Sequence, residues 1–485
     1  MAGIGFELKK IFKEESLGSV AAGVGYSTVV TIGPTVIIIG VIIALYIVLG
    51  FFSISYSERE LMSSTILYAF IFSVIITAPF NAVISRYIAD KIYYEKYEDI
   101  LPSFYSGLVT CLTIGTIMGI PFLLHEWLTG NVPFVYVWCT YGMFVNLIIV
   151  FFASNYLVAT KEYKIIAVYF GTGMLLAFVV AALLYYTVGC RTIDSVLYGL
   201  TVGFMLIAFL TFAYIRKYFH VNSKNYRGFF YYCKKHKKIF LTNLFYTLGL
   251  YIHNFVFWNT ENRIIVADTY ISSPAYDMAS CLAMFTNISM IVMFTVMAET
   301  KFHDIYQKYN ESVIGSTYAK IKLNRRRMFR LLIQQISYLI MIQAVISTIL
   351  FLMANAFLPR LGFSGLTITI YSLLSAAYLA IFSTYCSIIF LFYFDDNVGS
   401  LMTAAIFTVM VFAGTMVTKN LTPELYGAGP LFGGLCGWTY SYFRIRYLEK
   451  HFDKHIFCNV RVVSESKEKL PDNLIYQKGD NIERA

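Results

Sequence analysis

From residue 18 to residue 50 the chain carries no charged side chain, a run well beyond the roughly 20 apolar residues that a membrane-spanning helix requires. In lipid such a segment has to satisfy its own backbone N–H and C=O groups, which makes it a helix. Gly33 and Pro34 sit at its centre, and a proline there removes one backbone bond and crowds the preceding turn, so the sequence predicts a kink. The run also exceeds the roughly 7–15 apolar residues of a signal peptide and is read as a retained helix. Lys9, Lys10 and Lys13 precede it, which places the N-terminus in the cytoplasm by the positive-inside rule. Around them, Ile4, Leu8, Ile11 and Phe12 fall near one helical face, suiting either a short amphipathic helix on the inner leaflet or an extension of the span.

The rest of the chain repeats the pattern. Only 14% of its 485 residues are charged and 58% are hydrophobic, against about 25% charged in a soluble globular protein. Further apolar runs at about 61–85, 101–124, 132–158, 165–188 and 195–215 complete a first set of six spans. A second six lies at about 239–259, 278–298, 331–353, 366–392, 399–418 and 425–443. Between the sets, residues 216–238 hold eight basic side chains and no acidic one. Of the 38 Lys and Arg residues, only Arg59, Arg191, Arg263, Arg360 and Lys419 fall on the outer side of this scheme, which puts both termini inside. One inner turn dissents, carrying Asp395 and Asp396 with no basic residue. The expected organisation is an N-terminal amphipathic segment (1–17), a six-helix bundle (18–220), a basic cytoplasmic linker (221–238), a second six-helix bundle (239–447) and a cytoplasmic tail (448–485). The linker's charge suits anionic lipid and a topological role, not nucleic acid.

Enzyme chemistry finds no foothold in this pattern. The eight cysteines are scattered without metal-ligand or disulfide spacing, the usual phosphate-, nucleotide- and nucleophile-binding motifs are missing, and no cofactor is implied. A transporter instead needs polar groups along a wet path through an apolar bundle. Candidates for such a cavity are Asn146 and Asn155 of the fourth span, Asn243, His253, Asn254, Asn259 and Glu261 of the seventh, and Gln334, Gln335 and Gln343 of the ninth. The same amides can equally bind helix to helix, and Glu261 can equally pair with Arg263 in an outer loop. Arg86 and Asp90, four residues apart and able to pair on one helix face, are candidates for a cytoplasmic lock or gate. Glu126 and Asp277 are read as parts of a mildly acidic outer surface.

The opening MAGIGFELKKIF, followed by the span with Gly33 and Pro34, resembles the start of the PelG family, inner-membrane exporters of the Pel exopolysaccharide system. The resemblance extends over the length and the twelve-span layout. It implies an all-α polytopic fold of twelve transmembrane helices in two six-helix bundles, a MATE-like V around a central polar cavity. It further implies export of a growing amino-sugar-rich polysaccharide across the cytoplasmic membrane for a biofilm matrix. The implied partners are a cytoplasmic glycosyltransferase and Pel membrane components that include a cyclic-di-GMP receptor. Two other classes stay open on the residues alone: a lipid-linked oligosaccharide flippase or ion-coupled antiporter, and a membrane scaffold for a glycosyltransferase complex.

Overall fold

The computed structural model describes residues 17–50, 54–130, 132–159, 163–298, 302–361 and 363–459. The N-terminal amphipathic residues and the last part of the tail lie outside these. The helices run α1 Leu17–Val48, α2 Tyr56–Tyr93, α3 Ile100–Thr129, α4 Phe134–Ala159, α5 Tyr163–Leu183, α6 Thr192–Tyr218 and the short α7 Arg227–Lys235. They continue as α8 Lys237–Phe257, α9 Pro274–Met297, α10 His303–Gly315, α11 Tyr318–Phe357, α12 Gly365–Tyr393, α13 Asn397–Thr418 and α14 Ala428–Asn459. Among the described residues, ten helices are long and apolar enough to cross a membrane, and α1 adds the apolar stretch Ile32–Val48. The chain is therefore an all-α multi-pass membrane protein. Among the described residues the one pair of strands is an antiparallel hairpin, β1 Ile264–Val266 with β2 Tyr270–Ser272, between α8 and α9.

Local chemistry sets the helix ends. Ser55 caps α2 by accepting from the Glu58 N–H, and Asp396 caps α13 by accepting from the Gly399 N–H at 3.0 Å. Pro274 opens α9, where its missing N–H costs nothing. The hairpin turns through Ala267 and Asp268, both left-handed (φ 50° and 48°), a conformation that non-glycine residues adopt only when their surroundings hold them there. Helix α1 passes through Gly33 and Pro34 without interruption.

The packing of the two sets follows one pattern. In the first set α1 packs on α5, α2 on α4 and α3 on α4; in the second, α8 packs on α13, α9 on α12 and α11 on α12. The same three pairings thus recur with α1, α2 and α3 replaced by α8, α9 and α11. Close contacts depend on small residues: a Cβ on Gly107 of α3 would come within 2.5 Å of the Phe152 ring on α4, and one on Gly115 within 2.4 Å of Ile148. Helix α7 gives the basic linker a structure of its own, with Phe229 buried beside Gly107 while Phe230 and Tyr231 stay exposed. Residues from Tyr442 onward form a separate compact unit, in which Arg446 pairs with Glu449 at 2.9 Å and lies over the Tyr442 ring.

Candidate functional site

The two sets of helices meet chiefly through α2 against α8 and α1 against α9. Both contacts are apolar. Along α2–α8 runs a seam of rings: Tyr68 stacked on Trp258 (4.7 Å, 6°), Phe72 on Phe255 (5.9 Å, 12°) and Phe80 edge-on to Phe240 (5.1 Å). Between α1 and α9 lies a cavity of about 390 Å³ lined by Thr35, Val36, Ile39, Gly40, Ile43, Phe285 and Ile288, just past Pro34. Where the sequence suggested a polar central cavity, these contacts between the sets are aromatic and aliphatic. Polar chemistry collects at the two ends of the seam.

One end is the linker end. There Arg86 of α2 pairs with Asp395, in the turn between α12 and α13, at 2.8 Å, with the two side chains 35% and 65% exposed. Asp90 does not take up Arg86 as the i,i+4 spacing suggested; it accepts a hydrogen bond from the Tyr232 hydroxyl of α7. The closer cation for Asp395 comes from 309 positions away, a pairing no local pattern carries. His236 packs on the Tyr232 ring at 4.3 Å, and its imidazolium is disfavoured, first by burial and then by the charges of Arg86 and Lys235, so its pKa lies below the ordinary 6.5. Beside this cluster Lys91 pairs with Asp99 at 2.6 Å, and Ser223 of the linker donates to the same carboxylate at 2.6 Å.

At the opposite end of α8, the β1–β2 hairpin closes onto α2 and α3. The Tyr68 hydroxyl donates to the Ile271 carbonyl (2.7 Å) and accepts from the Ile271 N–H (3.1 Å), so one side chain clasps the backbone of β2 in both directions. Tyr270 donates to Glu126 Oε1 at 3.0 Å, and Ser64 donates to Ser272 at 3.4 Å. Glu126 is only 1% exposed and Asp277 only 8%, so neither belongs to the acidic outer surface read from the sequence. Tyr270 of the hairpin covers Glu126, and Asn254, Trp258 and the Ser273 N–H enclose Asp277; hydropathy cannot report a loop that folds back.

The candidate cavity residues scatter. His253 and Asn254 join a buried network inside the second set: Asn254 donates to Asp277 at 2.7 Å and accepts from Ser280 at 3.5 Å. Trp258 donates to both Asp277 oxygens at 3.0 Å, Ser280 bonds Tyr378 at 2.8 Å, and His253 Nδ1 bonds Tyr276 at 3.0 Å. Asn155 bridges α4 to α2 through the Asn81 carbonyl (2.7 Å) and the Ser85 hydroxyl (3.1 Å), and Asn146 reaches the Thr201 carbonyl of α6. Gln343 is saturated by Ser289, Thr286, Asn287 and Ser347. Asn243 and Asn259 donate to carbonyls of their own helix, Glu261 is exposed before the hairpin, Gln334 is exposed on α11, and Gln335 is half-buried. Sequence reasoning passed over Asp277 and Glu126 as site residues. A signal existed for the second: a carboxylate in the last turn of an apolar helix opposes the helix dipole and needs another reason to be there.

Comparison with known proteins places this geometry. The family model described as "PelG: Putative exopolysaccharide Exporter (EPS-E)" matches residues 1–457. Among solved structures, the fold is similar to an outward-facing multidrug resistance MATE family transporter of the MOP superfamily, at TM-score 0.61 and 14% identity, covering 87% of this chain and 96% of that one. It is similar to a MOP superfamily transporter from Pyrococcus furiosus, at TM-score 0.60 and 14% identity over 87% and 96%. It is also similar to a Vibrio cholerae MATE transporter, at TM-score 0.62 and 11% identity over 93% and 99%. No curated protein matches the chain.

Proposed function

This chain belongs to the PelG exopolysaccharide-exporter family, and on that premise we propose an exporter that works by opening one end of its aromatic seam at a time. The protein is a multi-pass membrane transporter for Pel-type exopolysaccharide, a non-catalytic role. In our reading twelve spans form two six-helix bundles in a V, with α1–α6 as one arm and α8, α9 and α11–α14 as the other. The linker end faces the cytoplasm with both termini, and the hairpin end faces outward.

One observation carries this reading: the bundles touch along an apolar seam that ends in a different lock on each side. Arg86–Asp395 joins the arms at the linker end, and the hairpin joins them at the other. An apolar seam separates without leaving unpaired polar groups, whereas the polar locks decide when it does. Pro34, beside the α1–α9 cavity, supplies a point at which α1 can bend as the arms part. Asn155, Asn254 and Gln343 serve as interhelical ties within an arm, and sugar contact falls to rings of the seam as it opens. A cytoplasmic glycosyltransferase and the other Pel membrane components, the cyclic-di-GMP receptor among them, would deliver polymer at the linker end. There Lys234 and Lys235 of α7 also meet anionic lipid. The apolar seam also suits the scaffold reading, in which the seam never opens.

Cross-linking separates the two. With Arg86→Cys and Asp395→Cys joined by a bifunctional thiol reagent that contains a reducible bond and spans the length of the lost ion pair, export of polymer made by the synthase stops and reduction restores it. Export unaffected by the closed cross-link overturns the alternating seam and leaves the scaffold.

A further inference from the structure

Glu126 is a buried carboxyl side chain in the last turn of the apolar helix α3. Its Oε1 accepts from Tyr270, yet its Oε2 is buried with no hydrogen-bond partner. A carboxylate buried in that condition is costly unless it takes up a proton or meets a donor or a positive charge. Glu126 is among the residues lining a cavity of about 160 Å³ between α2, α3 and α4, roofed by the hairpin through Tyr270. Apart from this carboxylate the wall is dominated by rings: Tyr68, Phe72, Phe122, Tyr141, Phe144 and Tyr270. Several are already set at angles to one another, Phe122 edge-on to Tyr270 (5.3 Å, 72°) and Tyr68 edge-on to Tyr270 (5.2 Å, 80°), so that faces as well as edges border the space.

One anion inside an aromatic box is the chemistry that recognises an organic cation: the carboxylate neutralises the charge, and ring faces replace the water it has left. Ring faces also exclude a strongly hydrated metal ion, which would need several oxygen ligands, and no cluster of metal-binding side chains occurs among the described residues. We propose that this cavity is a binding site for a primary ammonium group, held by Glu126 and the surrounding rings. Its occupant neutralises the carboxylate that also accepts from the Tyr270 hydroxyl and so weakens that bond to the hairpin. Ligand entry and the hold on β2 are thereby coupled through one side chain.

Two sources present this chemistry. One is an unacetylated amino sugar of the exported polymer, which rests on the transport reading above; the other is the headgroup of phosphatidylethanolamine. The test uses the full chain in nanodiscs of phosphatidylcholine and phosphatidylglycerol, titrated calorimetrically with a glucosamine tetramer and with its fully N-acetylated counterpart. A second arm adds phosphatidylethanolamine and weighs retained lipid by native mass spectrometry. The expected result is binding of the amine form, with the acetylated form and the Glu126→Gln protein each weaker by about tenfold or more. Tyr270→Phe, which removes the same hydrogen bond but spares the carboxylate, binds at least as tightly as the unaltered protein. Phosphatidylethanolamine retained only when Glu126 is present assigns the ammonium to lipid and upholds the site. Equal binding by Glu126→Gln, equal binding of the acetylated tetramer, loss of binding in Tyr270→Phe to the same degree as in Glu126→Gln, or Glu126-independent behaviour in both arms overturns it. Binding is read without synthase or polymer movement, so failure of export with binding intact would count against the transport reading alone.

Discussion

The two ends of the α2–α8 seam are closed by different physics. At the linker end the tie between the helix sets is one ion pair, Arg86 with Asp395, whose partners keep 35% and 65% of their side chains in solvent. Exposed pairs of this kind contribute about 0.2–1 kcal/mol and weaken with salt. At the hairpin end Tyr68 stacks on Trp258, clasps Ile271 with two hydrogen bonds and packs edge-on against Tyr270, all without a charge exposed to water. A buried aromatic contact contributes about 0.5–1.5 kcal/mol beyond the area it covers, and each hydrogen bond about 0.5–1.5 kcal/mol more. On the proposed reading this asymmetry would give the protein a direction, opening toward the linker against a weaker tie than toward the hairpin.

The largest change expected follows from that. Tyr68→Ala removes the ring, its stack on Trp258 and both bonds to Ile271, and should cost about 3–5 kcal/mol of stability. A cysteine placed at Ser272, 3% exposed in the closed hairpin, should become alkylated by a membrane-impermeant reagent in that background. An unaltered melting temperature together with a protected cysteine would mean that the hairpin is held by something else. Tyr68→Phe sharpens the same point, since it keeps the stack and loses only the hydroxyl clasp. About 1–2 kcal/mol is expected, read as the difference between the two melting curves.

How these locks escaped the sequence has a physical explanation. Spans were legible because a charge-free run of membrane length has one stable conformation in lipid, and α2, α3, α12 and α13 lie where their apolar runs are. Expected pairs along one helix fared worse: Arg86 and Asp90 sit four apart, yet tertiary proximity gave Arg86 to Asp395 and Asp90 to Tyr232. Glu126 and Asp277 looked like loop charges because they border apolar runs, yet Tyr270 of the hairpin packs onto the first and Asn254, Trp258 and Ser273 enclose the second. The amide-rich candidates were legible as polar but not as facing anything. Gln343 and Asn155 spend their hydrogen bonds on neighbouring helices, which a one-dimensional pattern cannot distinguish from lining a path.

At the linker end the effects should be smaller and of another kind. Arg86→Ala is expected to lower stability by no more than about 1 kcal/mol, yet to raise the reactivity of a cysteine at Asn397, half-buried beside Asp395. Adding salt to the Asn397→Cys protein with Arg86 in place should reproduce part of that gain, while leaving Ser272→Cys at the hairpin end unchanged. Salt sensitivity at both ends, or at neither, would erase the contrast between an electrostatic and an aromatic lock.

The smallest effect is a pH dependence confined to the linker end. His236 stacks on Tyr232, which in turn holds Asp90, so its charge state bears on the lock without being part of it. Burial, Arg86 and Lys235 disfavour its imidazolium, while Asp90 and Asp395 favour it more weakly, and the folded protein holds the proton less tightly than the unfolded chain does. Above the unfolded value of 6.5 both states are neutral and the contribution is fully present. As pH falls below 6.5 the unfolded chain takes up the proton first, and stability drops until the folded pKa is passed. Melting curves between pH 8 and pH 5 should therefore shift downward on acidification, and His236→Gln should remove that part of the shift. The reactivity of an Asn397→Cys reporter should rise over the same interval while that of Ser272→Cys stays level. A shift carried equally by the Gln variant would place the titrating group elsewhere and detach His236 from the lock.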